Sequence, residues 1–169
     1  TTMEAMEISQ KPVIFSHSNV YALCPSARNL KDDQIVAVAN SNGLVGVNGF
    51  PAFVSKKEKP TIDDYIDHID YIVNLVGVEH VGVSMDYWEG MASIASRSEA
   101  QRLYNSFLKT GRWKKESYQS PPWWYPEDIE IPSKLSNLTE ALIKRGYSEN
   151  DIKLILGGNF IRVYKENFG

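Results

Sequence analysis

The chain has 169 residues, 43% hydrophobic and 23% charged, which suits one globular domain with a substantial core. Its net charge of −3, with Lys and Arg scattered among acids, argues against a nucleic-acid partner. Cys24 is the only cysteine, so no intrachain disulfide can form, and no apolar run is long enough to span a bilayer. A soluble protein of the cytoplasm or periplasm is expected.

In chain order, residues 1–10 read as the last turns of a helix that delivers the chain into a strand at Val13 to Phe15. That short apolar run gives way at once to Ser16, His17 and Ser18, the pattern of a buried strand opening into a loop. Asp32 is read as an N-cap, with Ile35, Val38 and Ala39 forming a helical stripe that Asn42 and Gly43 stop. Leu44 to Asn48 is the next strand, and Phe50 to Lys59 a loop.

Thr61 caps a helix in which Ile62, Tyr65, Ile66, Ile69, Ile72, Val73 and Val76 recur at three- and four-residue steps, ended by Gly77. Val81 to Val83 forms a third strand. Helices and strands alternate with connections suited to parallel pairing. Residues 89–132 then read as a long aromatic and proline-rich loop insertion, containing one helix from Arg97 to Lys109 with a capping pair at Ser96 and Glu99. Its rings must pack on something. Leu135 to Leu142 is a helix stopped by Gly146, Ser148 and Asp151 cap another that runs through Ile155, and Asn159 is read as the cap of the last. Residues 1–169 form a single segment with no internal repeat.

Three side chains fall where parallel α/β folds collect their chemistry, at or just beyond the C-terminal ends of strands. His17 is either a hydrogen-bonded structural residue or a metal ligand. Arg28 offers a planar fork for a carboxylate, or a surface ion pair. Asp86 presents a carboxylate on the same face, or serves as a turn residue. His68, beside the apolar stripe of a long helix, is read as structural, and His80 lies at the opposite strand end.

The stretches Pro12-Val-Ile-Phe-Ser-His-Ser18, Arg28-Asn29, Gly46-Val47-Asn48, Asp67-His-Ile-Asp-Tyr-Ile-Val73, Val81-Gly-Val-Ser-Met-Asp86 and Gly158-Asn-Phe-Ile-Arg162 occur in the order seen in the membrane (renal) dipeptidase family, which the chain resembles. The resemblance implies an α/β fold: about three βα units forming the C-terminal portion of a TIM-type (β/α)8 barrel. It also implies zinc-dependent hydrolysis of dipeptides at a two-zinc centre. By the same resemblance His17 is a zinc ligand, Arg28 and Asn29 bind the substrate carboxylate, and Asp86 is the catalytic acid and base.

Asn29 could equally brace its turn. The family's acidic run continues with an aromatic residue, Asp and Gly, where this chain has Tyr87, Trp88, Glu89 and Gly90. Its remaining metal ligands would precede Thr1, so the N-terminal half of the barrel, in the same or a separate chain, is an expected partner, as is a homo-oligomer. One His and one Asp are too few for a catalytic zinc site, and this segment alone is expected to be inactive. The alternative function is a metal-free binding module or half-barrel that associates with a second chain.

Overall fold

The computed structural model describes residues 2–87 and 97–169. Helix α1 (Thr2–Ile8) leads into strand β1 (Ile14–Phe15), followed by α2 (Asp32–Asn40), β2 (Leu44–Asn48), a short α3 (Pro51–Val54), α4 (Ile62–Val76) and β3 (Val81–Ser84). The three strands form a parallel sheet in the order β1-β2-β3. Ile14 pairs with Leu44 and Val45 with Val81, so all three strands end towards the same edge. Beyond the sheet come α5 (Arg97–Lys109), α6 (Asn137–Lys144), α7 (Glu149–Lys153) and α8 (Asn159–Phe168). Among the described residues no helix is long and apolar enough to cross a membrane.

Side-chain alternation gives the sheet two different faces. Val45, Val47 and Val81 belong to a buried core shared with Ile35 and Val38 of α2 and with Ile66, Ile69 and Ile72 of α4. On the other register, Gly46 pairs with Gly82. A Cβ added at Gly82 would lie 2.6 Å from Phe160 Cε2, and one at Gly46 would lie 3.1 Å from Phe160 Cζ and 2.5 Å from the Ser16 carbonyl oxygen. The two glycines are what let the ring of α8 lie against the strands.

Helix α4 is held as its sequence suggests. The Thr61 hydroxyl accepts from the Asp64 N–H at 3.2 Å, Asp64 accepts from the Thr61 N–H at 2.8 Å, and Gly77 ends the helix at φ +100. Its outer face carries Asp63, Asp67 and Asp70, and Arg145 gathers all three at 2.9, 2.9 and 2.6 Å. The Tyr147 hydroxyl donates to the second oxygen of Asp70.

Four local readings are corrected or left outside the described residues. Asp32 is inside α2; Lys31 occupies the cap position, and its N–H donates to Gln34 Oε1 at 3.0 Å. Residues 51–54 are a short helix within the expected loop, begun by Pro51 at a position that needs no N–H. Asn159 is fully buried with helical φ/ψ, and its amide donates to Val78 O at 2.7 Å and Val81 O at 2.8 Å. It latches α8 to the start of β3 and does not cap a helix. The expected pair at Ser96 and Glu99 involves a residue outside the described ones, whereas the Ser148–Asp151 box is present, and its helix passes after Lys153 into a wide turn that kinks at Gly157.

Candidate active site

The loop after β1 is built to hold its polar residues still. Tyr21 N–H donates to Leu30 O and Leu30 N–H to Asn19 O, closing the loop, while Cys24 is buried within it beside the Ala52 carbonyl. Asn29 is also buried, and its amide donates to Cys24 O and Phe53 O, both at 2.8 Å. Its side chain thus braces the turn that carries Arg28, and its Oδ1 is buried without a protein partner.

A second brace joins the strand ends. The Asn48 N–H donates to Asn19 Oδ1 at 2.6 Å, and Asn19 Nδ2 returns a bond to Asn48 O at 2.9 Å. Asn48 Oδ1 accepts from the Phe50 N–H, which turns its Nδ2 towards His17 O at 3.5 Å and Asp86 Oδ2 at 3.4 Å. Asn48, at the end of β2, therefore touches the segments just beyond both neighbouring strands. Sequence reasoning gave it no role, although it stands in the Gly46-Val47-Asn48 motif of the family.

His17, Arg28 and Asp86 line one cavity of about 520 Å³ with Phe50, Leu103, Phe107, Arg112, Trp113, Tyr118, Trp123 and Tyr125. That volume falls in the range of small-molecule sites. The His17 ring is oriented by Ser16 Oγ at 2.7 Å from Nδ1, and its Nε2 lies 3.4 Å from Arg28 Nη2. Among the described residues no carboxylate pairs with Arg28, whose guanidinium instead lies 5.8 Å from the centroid of Phe53. Asp86 is exposed at φ +56, a left-handed turn that ends the run of β3. The Tyr125 hydroxyl donates to Asp86 O at 2.9 Å; burial first, then the nearby Asp86 charge, raises its pKa. Tyr87, whose hydroxyl donates to Ile129 O, is pushed up to about 12 by burial and then by Glu130. Both phenols therefore remain donors at neutral pH.

The other histidines are spent on structure. His68 is buried: Val20 N–H donates to its Nδ1 at 3.1 Å and its Nε2 lies 2.8 Å from Val54 O, which fixes the neutral tautomer with the proton on Nε2. Burial lowers its pKa, against the pull of the Val54 carbonyl. His68-Ile69-Asp70 has His-x-Asp spacing that sequence reasoning overlooked, but it lies on α4, and Asp70 is committed to Arg145 and Tyr147. His80 Nδ1 faces Gly43 O.

As for a metal, His17 is suited to be one ligand, because a Nδ1–H donated to Ser16 leaves the Nε2 lone pair for a cation. Among the described residues no group of three or more His, Cys, Asp or Glu side chains is gathered as a metal cluster. The chain's own donors thus fit only part of a metal site.

The chain is 28% identical over 165 residues to dipeptidase tcpJ of Claviceps purpurea, covering 97% of this chain and 31% of that protein. It is 30% identical over 169 residues to the uncharacterized dipeptidase C965.12 of Schizosaccharomyces pombe, covering 98% of this chain and 33% of that one. It therefore spans about a third of the length of these curated relatives. Among solved structures, an amidohydrolase from Pseudomonas aeruginosa superposes with a TM-score of 0.83 at 29% identity, over 98% of this chain and 49% of that chain. A metallo peptidase from Rhodobacter sphaeroides, solved with a phosphinate mimic of the dipeptide L-Ala-D-Ala, shares the fold at a TM-score of 0.74 and 20% identity, over 99% of this chain and 39% of that one. The membrane dipeptidase profile matches residues 1–120 and 122–168, and the chain belongs to that family, peptidase family M19.

Proposed function

We propose that the complete protein is a zinc-dependent dipeptidase, and that this chain supplies the C-terminal portion of a (β/α)8 barrel bearing one metal ligand, the substrate-anchoring arginine and the proton-transfer carboxylate. The observation that carries this reading is the convergence of His17, Arg28 and Asp86 on one cavity. The three come from segments 11 and 58 residues apart in sequence, so their meeting is a product of the parallel sheet and its loops.

In this reading His17 Nε2 would hold a zinc together with donors from the rest of the barrel. When bound, the metal polarises the scissile carbonyl and makes water nucleophilic near neutral pH. Arg28, which has no acidic partner among the described residues, pairs bidentately with the free carboxylate of the dipeptide and fixes its register. Its present contact with His17 Nε2 is one it would exchange for that carboxylate. Asp86 takes one proton from the attacking water and delivers it to the departing amine nitrogen, so that water adds across the broken C–N bond. Asn48 holds the Asp86 carboxylate towards the cavity while the Tyr125 hydroxyl holds its backbone.

The test is to purify the full-length protein, count bound zinc, and follow release of free amino acids from a panel of dipeptides. Turnover that disappears with chelation and returns with zinc supports the reading. A zinc-loaded protein that cleaves no dipeptide refutes it.

A further inference from the structure

The walls of the cavity come largely from residues 103–125, and they are ordered around one ring. Phe50 meets Trp113, Tyr118, Trp123 and Tyr125 at centroid distances of 5.9, 5.9, 6.2 and 6.1 Å. Trp113 stacks on Tyr118 at 4.4 Å with 3° between planes, and meets Trp123 edge-on at 5.3 Å. Backbone bonds fix the same rings: Trp123 Nε1 donates to Gln119 O, and the Tyr104 hydroxyl donates to Tyr118 O.

A cluster whose only task was to pin the loop would close on itself. Here Trp113, Tyr118 and Trp123 are each only half-buried, and they line the 520 Å³ cavity shared with His17, Arg28 and Asp86. The aromatic wall also continues to Arg28. The Phe53 ring beneath the guanidinium packs at 5.4 Å on Tyr118, the ring that stacks on Trp113. A residue whose carboxylate is held by Arg28 would therefore have its own side chain beside Phe53, Tyr118 and Trp113.

We infer that Trp113, Tyr118 and Trp123 form a subsite for a large apolar or aromatic side chain on the C-terminal residue of the dipeptide. This rests on the dipeptidase reading and on Arg28 as the carboxylate anchor. Rigid rings with few rotamers offer contact area at low entropic cost, and edge-to-face geometry with an incoming ring adds to simple burial.

The experiment compares kcat/KM for Gly-Gly, Gly-Leu, Gly-Phe, Phe-Gly and Gly-Glu with the zinc-loaded full-length protein. Gly-Phe and Gly-Leu should exceed Gly-Gly by about tenfold or more, the discrimination that apolar pockets achieve. Trp113→Ala and Trp123→Ala should each reduce the Gly-Phe to Gly-Gly ratio by about threefold to tenfold, with bound zinc per chain equal to the parent's. A parent that cleaves Gly-Gly as well as Gly-Phe, or prefers Phe-Gly alone, overturns the subsite while leaving the dipeptidase reading intact. Preference for Gly-Glu would overturn it too, and would point to Arg112 on the cavity wall as the selector. Absence of any dipeptide cleavage defeats the dipeptidase reading and the subsite with it. Should either alanine variant fail to fold, the parent's own profile still decides the question, and Trp123→Leu repeats the test with the volume largely kept.

Discussion

His68 offers the most direct test of how the site loop is held. Its ring is buried on α4, accepts from Val20 N–H in the loop after His17, and faces Val54 O at the end of α3. His68→Leu keeps much of the volume but leaves one buried N–H and one buried C=O unpaired. Each such loss costs about 1 to 3 kcal/mol, so the variant should lose about 2 to 6 kcal/mol of stability. The ring also makes stability depend on pH. Its native pKa lies below the ordinary 6.5 because burial disfavours the cation, and a protonated Nδ1 could not accept from Val20. The unfolded chain then binds a proton that the native chain refuses, so this contribution is complete above about pH 6.5 and declines as pH falls towards the native pKa, at up to about 1.4 kcal/mol per pH unit. The assay is urea unfolding of the parent and of His68→Gln, which cannot titrate, at about pH 7.5 and pH 5.5. The parent should lose more stability on acidification than the Gln variant. Equal losses in both would refute the assignment of a buried neutral ring.

Three further outcomes are expected. His17→Ala should lower bound zinc by one ion per full-length protein and remove most turnover, checked by metal analysis beside kcat; unchanged metal and turnover would take His17 out of the site. Arg28→Lys should raise KM by about tenfold with little change in kcat, because an ammonium cannot reproduce the bidentate fork. If the parent cleaved dipeptides and their C-terminal amides equally well, the anchor role would be wrong. Asn159→Leu removes the amide's bonds to the Val78 and Val81 carbonyls and should cost about 2 kcal/mol or more in thermal or urea unfolding. A change within about 0.5 kcal/mol would mean that the last helix is held without this latch.

What could be read from sequence was whatever has a local signature. The stripe of α4, its Thr61 cap and its Gly77 stop are written within one segment, and the strand Leu44–Asn48 is bounded by a turn on one side and a polar end on the other. The placing of His17, Arg28 and Asp86 near one sheet edge came from strand order alone. What escaped was contact across long separations. Asn159 looks like a cap because asparagine before a helical run usually is one, yet its partners are 81 and 78 residues away. Phe50 gave no sign that the rings of residues 113–125 would gather on it, since an aromatic loop states only that its rings need a partner. The His-x-Asp triplet on α4 shows the opposite hazard: spacing alone suggests a ligand pair until its helix and its hydrogen bonds are known.

His17, Arg28 and Asp86 do little to place one another; uncharged amides do most of that work. His17 and Arg28 touch at 3.4 Å, but Arg28 is exposed, and Asp86 sits on a turn with positive φ. The fixed elements are Asn19, Asn29 and Asn48, buried where their side chains can replace the sheet hydrogen bonds that end with the strands. An amide suits this task because it donates and accepts without titrating, so the frame keeps its geometry as pH changes. A carboxylate at Asn48 would instead repel Asp86 from 3.4 Å, and an apolar residue would leave the Phe50 N–H without its acceptor. The division is a physical one: His17, Arg28 and Asp86 line the open cavity, and the amides that hold the loops around them are neutral and buried.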